Sequence, residues 1–217
     1  MPLTMYERYL RALNETLLMV GISSVIAISC GLLLAVTLVV TAPGGLYPKP
    51  KFNKTLSIIV NMLRSIPFII LLVALIPITR FLVGTTLGTW AAIVPLSINL
   101  IPFYARIVQV SLLEVDKGLI EAAFAMGLKR HHIIWHVLLA ESLPAIIGGM
   151  TVCVVVMISS SAMAGAVGAG GLGDLAIRYG YERYETRVLF DIIVILIVMV
   201  TIVQFTGEKL ARLTDHR

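Results

Sequence analysis

The chain has 217 residues, 59% hydrophobic and 13% charged, with a mean hydropathy of +0.98. A soluble domain carries roughly twice that charged fraction, so a soluble enzyme or binding module is excluded and a single polytopic membrane domain over residues 1–217 is expected. The net charge of +5 is read as membrane topology, with no nucleic-acid partner.

A spanning helix needs about 20 mostly apolar residues. Residues 17–40 carry no charge and predict the first span. This run starts too far in, and is too long, for a cleaved signal peptide, and is expected to be retained. Residues 56–79 predict the second span and contain one charge, Arg64. Pro67, three residues on, is expected to kink that helix. Arg64 is a candidate to line a water-filled path or to bind a partner carboxylate; the alternative is a side chain that snorkels to the membrane surface. The third span is expected over residues 87–107.

A long polar interval follows, a loop over residues 114–142. Within it Leu119, Ala122, Ala123 and Met126 recur at i, i+3, i+4 and i+7, which predicts a short helix with one small-sided face. Gly127 supplies its stop. Such a helix suits a groove on another protein. Residues 133–139 are apolar apart from His136 and too few to cross. His132 and His136 have metal-ligand spacing but no H-E-x-x-H pattern and no third ligand, so they are read as solvated loop histidines and no metal site is expected.

Residues 143–173 are uncharged and longer than one crossing requires; the fourth span is expected over 143–166. Ala162, Ala166 and Gly170 have the small-xxx-small spacing that lets helices approach closely in lipid. Met163 is the bulky side chain among them. In a symmetric dimer two copies of Met163 would meet on the axis and close a pore; the alternative is simple packing against a neighbouring helix. Gly168-Ala169-Gly170-Gly171-Leu172-Gly173 matches G-x-G-x-x-G, but a membrane span precedes it where a nucleotide site needs a strand. It is expected to be a flexible exit from the fourth span. No G-K-[ST] occurs, so no Walker loop is present. The fifth span, 188–206, contains only Asp191 near one end. Cys30 and Cys153 lie inside apolar runs and are read as small hydrophobes, not as a disulfide or metal pair.

Five spans place the termini on opposite sides. With the N-terminus outside, eleven basic residues (Lys49, Lys51, Lys54, Arg64, Arg106, Lys117, Lys129, Arg130, Lys209, Arg212 and Arg217) lie inside and six lie outside, while the acidic residues divide evenly. The positive-inside rule selects that orientation, which puts the loop 114–142 in the cytoplasm. No histidine falls within a span, so an intramembrane hydrolase lacks its base.

Glu121-Ala122-Ala123, Gly127 and Val137-Leu138-Leu139 resemble the EAA loop of ABC-importer permeases. Ala140 stands where that pattern has proline; the nearest proline is Pro144. Arg64-Ser65-Ile66-Pro67-Phe68 and the run from Gly165 through Gly173 resemble the permease subunit of methionine ABC importers. The likeness runs from about Asn14 to the C-terminus.

This resemblance implies a type I importer permease fold with five transmembrane helices, N-terminus outside and C-terminus cytoplasmic, in the bacterial cytoplasmic membrane. It implies a homodimer of permeases, two ATPase subunits on the cytoplasmic face, and an extracytoplasmic methionine-binding lipoprotein. ATP and Mg would sit on the ATPase, with no cofactor on this chain. Leu119, Glu121, Ala122, Ala123, Met126 and Gly127 are then the ATPase-coupling residues. Met163, Ser161, Arg64 and Pro67 are candidates for the gate or pathway. The competing reading is a self-sufficient small-solute channel or secondary transporter, against which no internal repeat is visible.

Overall fold

The structure, a computed structural model, describes residues 4–214. Arg217, counted above among the basic residues of one side, lies outside them. Every regular element among the described residues is helical.

Helix α1, Met5–Val40, begins well before the first apolar run. Thr4 explains why: its hydroxyl accepts from the Glu7 N–H, and Glu7 Oε2 accepts from the Thr4 N–H at 2.7 Å. This reciprocal capping box starts the helix in polar sequence. The expected span 17–40 therefore sits inside a 36-residue helix, long enough at about 1.5 Å per residue to project beyond a bilayer.

The second expected span is not one kinked helix. It is α2 (Pro50–Ser65), α3 (Phe68–Ala74) and α4 (Ile76–Val83), with a bend of 103° between α2 and α3. Pro67 has no N–H and crowds the residue before it. Ile66 accordingly leaves the helix for extended backbone, φ −84° and ψ 123°, which turns a kink into a break. Helix α2 is amphipathic and buries only Val60.

Helix α5, Thr89–Leu113, is the core of the molecule. Ala92, Leu96, Leu100, Tyr104, Val108 and Leu112 recur every four residues and are all buried. They face a matching row on α1: Ser23, Ala27, Gly31, Ala35 and Val39. A row of small residues against a row of large ones lets two helices pack closely in lipid without a hydrophobic drive between them. A Cβ on Gly31 would lie 2.9 Å from the Ile101 carbonyl and from Tyr104 Cδ1.

A loop carries α6 (Lys117–Ala125), α7 (Arg130–Ile133), a wide helical turn at Ile134–Leu138, and α8 (Leu139–Glu141). Helix α9, Leu143–Ala164, packs against α5 and is followed by the glycine cluster, the short α10 (Gly171–Leu175), a second wide turn at Ala176–Tyr181, and α11 (Thr186–Thr214). The glycine cluster is a packed reversal, not a flexible exit. Gly168, Gly170 and Gly171 take φ of 90°, 84° and 78°, a region that side chains avoid. A Cβ on Gly173 would run into the Ala162 backbone, and one on Gly171 would lie 2.6 Å from Thr16 Oγ1.

By length and composition α1, α5, α9 with its extension, and α11 are long and apolar enough to cross a membrane; the bent α2–α3 pair makes a fifth crossing if it counts as one. The molecule has two polar ends. One carries the α6 loop, the other the start of α1, the glycine reversal and α10.

Candidate partner-binding and pathway sites

Helix α6 is held at both ends. Asp116 Oδ1 accepts from the Gly118 N–H at 2.8 Å. At the other end the Gly127 N–H donates to Phe124 O at 2.9 Å and the Leu128 N–H donates to Ala123 O at 3.1 Å. With Gly127 at φ 80°, this is a Schellman stop. The face expected from the spacing is split. Ala123 is buried and packs with Ile120 and Leu128 into the main core. Leu119, Ala122 and Met126 stay together on an exposed flank beside Glu121, with Met126 73% exposed. The periodicity located the helix but not how far it rolls inward, because the apolar stripe must serve both the chain's own core and the outside. Phe124, 44% exposed, was not anticipated; an aromatic side chain in a polar loop was the available signal.

The loop beyond α6 is pinned by Ile133 and Leu138, both buried, and by Arg130 stacked over the Tyr47 ring at 5.3 Å. Ala140 is exposed, and Pro144 lies in the first turn of α9. The rings of His131 and His132 lie 4.0 Å apart and those of His132 and His136 6.0 Å apart. The charge of His131 holds His132 below the ordinary histidine value, with His136 and Lys129 acting in the same sense.

Arg64 sits in the last turn of α2, exposed, one turn beyond Asn61. Facing it from α5 is Arg106, which sequence reasoning counted only as a basic residue of one side. Its Nη1 donates to Gln109 Oε1 at 2.6 Å, and its Nη2 donates to Ser57 Oγ and to Asn61 Oδ1, each at 2.7 Å. No carboxylate pairs with Arg64 or Arg106 among the described residues. Pro67 is exposed at the bend. Met163 is 54% exposed on α9, whereas Ser161, two residues earlier, is buried and donates to Ile158 O at 2.7 Å. The two point in different directions, and Ser161 braces α9 from within.

The opposite end holds a cleft of about 610 Å³, lined by Arg8, Arg11, Glu15, Asp174, Arg178 and Arg183 among others. Glu15 accepts from Arg11 at 2.9 Å and from the Gly171 N–H at 2.9 Å. Thr16 Oγ1 accepts from the Leu172 N–H at 2.9 Å. Two side chains of α1 thus satisfy the open N–H groups that begin α10. The Tyr179 ring lies between Arg8, at 5.2 Å, and Arg183, at 4.6 Å. Tyr9 donates to Asp191 at 3.1 Å; partial burial, and then that carboxylate, raise its hydroxyl above the ordinary tyrosine value. This cleft is built from residues 156 positions apart in sequence, a pairing that no local pattern reveals.

Fold and sites together define a multi-pass helical membrane protein with an exposed, capped helix at one polar end and a charged cleft at the other. The model for the family described as "Binding-protein-dependent transport system inner membrane component" matches residues 27–214, and the chain belongs to that family. It is 48% identical over 208 residues to the probable D-methionine transport system permease protein MetI of Vibrio cholerae, covering 96% of this chain and 92% of that one. It is 46% identical over 180 residues to the methionine import system permease protein MetP of Bacillus subtilis, covering 83% and 81%. Among solved structures it superposes on a chain of the inward-facing MetNI methionine ABC transporter, native crystal form, with a TM-score of 0.96, 44% identity and full coverage of both chains.

Proposed function

We propose that this chain is the permease subunit of an ATP-driven importer for methionine, its substrates extending to the D-isomer and derivatives. The observation that carries the reading is the exposed flank of α6, Leu119, Ala122 and Met126 beside Glu121, closed by the Gly127 stop. It offers a small-sided helix to a groove, on a chain 48% identical to a named methionine permease. The α6 end faces the cytoplasm and the N-terminus lies outside, as the distribution of basic residues favours. The membrane is the bacterial cytoplasmic membrane.

Two copies of the chain pair with two ATPase subunits, which hold ATP and Mg. An extracytoplasmic binding lipoprotein delivers solute at the opposite end. ATP binding draws the ATPase subunits together and carries α6 with them. The loop transmits this through Ile133 and Leu138, which are rooted in the core. The spans then exchange between two packings, and the path opens to the other side.

A Gly127→Pro substitution tests the coupling role. Proline cannot adopt φ 80°, so the α6 stop is lost. Methionine uptake in cells carrying the ATPase and binding protein is expected to fall at least about tenfold, with the ATPase lost on co-purification. Undiminished uptake by a normally inserted variant rejects the reading. Methionine flux through vesicles holding this chain alone would favour a self-sufficient transporter instead. Exposed Met163 marks the proposed gate: Met163→Cys chains are expected to cross-link across the dimer axis in the resting state. Absence of cross-linking in every nucleotide state removes the gate.

A further inference from the structure

The seam between α2 and α5 is cationic with nothing of its own to balance it. Neither helix contains an Asp or Glu. The Arg106 guanidinium is half-buried and bonded only to neutral acceptors: Ser57, Asn61 and Gln109. These fix its position and satisfy its Nη groups but leave its charge uncompensated. Its Nε–H has no partner among the described residues, and Arg64 has neither an ion pair nor a hydrogen bond among them. Ser57, Asn61 and Arg64 follow one another at i, i+4 and i+7, on the face of α2 that turns toward Arg106. Arg64 stands one helical turn beyond Asn61, whose Oδ1 accepts from Arg106 at 2.7 Å.

Two like charges held near each other raise the free energy of both, and an anion between them removes that cost. Guanidinium groups also match the planar fork of a carboxylate or the oxygens of a phosphate. The pair is therefore poised to receive an oxyanion.

We propose that Arg64 and Arg106 form an oxyanion port on the α2–α5 seam, where the carboxylate of the transported amino acid is met on its way to the α6 end; this rests on the importer reading above. The carboxylate is favoured over a lipid phosphate by the surface leading to the port. Lys54, Ser57, Asn61 and Arg64 make a polar stripe along α2, which suits a wet path. The port distinguishes an amino acid from its amide by charge alone. It has no acidic group for the ammonium, which stays in water.

The test reads the port without needing transport. In the assembled complex, in zwitterionic vesicles and with Cys30 replaced by Ser, Arg64→Cys is labelled with anionic and cationic methanethiosulfonates of similar size. The anionic reagent is expected to react about tenfold faster, a charge-assisted interaction being strong enough for that. Arg106→Gln is expected to abolish the preference and Arg106→Lys to keep it. Free methionine is expected to slow the anionic labelling, and methionine amide to leave it unchanged. Equal rates for the two reagents, or a preference that survives Arg106→Gln, overturns the port. Protection by added phosphatidylglycerol but not by methionine overturns the solute carboxylate and assigns the port to lipid phosphate. The preference in the Arg64→Cys complex, together with a wild-type complex that imports no methionine, counts against the importer reading alone.

Discussion

Helix α5 is met on one side by α1 and on another by α2, and the two seams are made differently. Along α1 the contact is dry: Ala27, Gly31 and Ala35 lie against Leu100, Tyr104 and Val108 with the backbones almost touching. Helix α2 buries one apolar residue, Val60, and is tied to α5 by the hydrogen bonds of Arg106 to Ser57 and Asn61. Close-packed surfaces have one good arrangement and resist sliding. Hydrogen bonds between polar side chains that water can reach exchange for water at small net cost. The α1–α5 pair is therefore expected to move as a single body with α2 as the looser partner, which ends at the 103° break at Pro67. Under the alternating access proposed above, the moving surface would lie on α2 and the fixed frame on α1, α5 and α9.

The comparison is broken most severely at Gly31. A Gly31→Leu side chain would start with a Cβ 2.9 Å from the Ile101 carbonyl oxygen, backbone that cannot rotate away. The helices must separate along their length, and the expected loss is about 3 kcal/mol or more. On α2, Val60→Ala removes its one buried apolar side chain and is expected to cost about 1–2 kcal/mol. Thermal or denaturant unfolding of the two purified variants in the same detergent measures both. Equal losses at the two sites would show that α2 is as firmly seated as α1, and its looser partnership would have to be abandoned.

What the sequence disclosed follows the same division. Long uncharged runs announced α1, α5, α9 and α11 because one residue property, transfer into lipid, decides them. The α6 helix and its Gly127 stop were legible because spacing and a left-handed position are local. The second span was misjudged because Pro67 acts on Ile66 as well as on the helix behind it. The glycine cluster was read as flexible because its partners, Glu15, Thr16 and Met19, lie some 150 positions away. Arg106 counts in the sequence only as a basic residue of one side for the same reason: its meaning depends on Ser57 and Asn61 across the seam. Ala123 was assigned to the outward face because periodicity fixes a stripe without fixing which part of it the core claims.

The finest distinction between the seams lies in Tyr104. Its ring fills the space between Gly31 on α1 and Gly149 on α9. Its hydroxyl is fully buried and has no hydrogen-bond partner among the described residues. An unmet hydroxyl costs about 1–3 kcal/mol, so here polarity opposes the packing, whereas at Arg106 polarity supplies the contact. Tyr104→Phe keeps the ring and removes the liability. It is expected to leave the unfolding free energy unchanged or to raise it by up to about 1 kcal/mol. Arg106→Gln on the other seam is expected to loosen α2 without unfolding the frame. A Tyr104→Phe variant that unfolds more easily would mean the hydroxyl finds a bond in the assembled membrane protein. The α1–α5–α9 frame would then be joined by a polar contact as well as by its close-packed side chains.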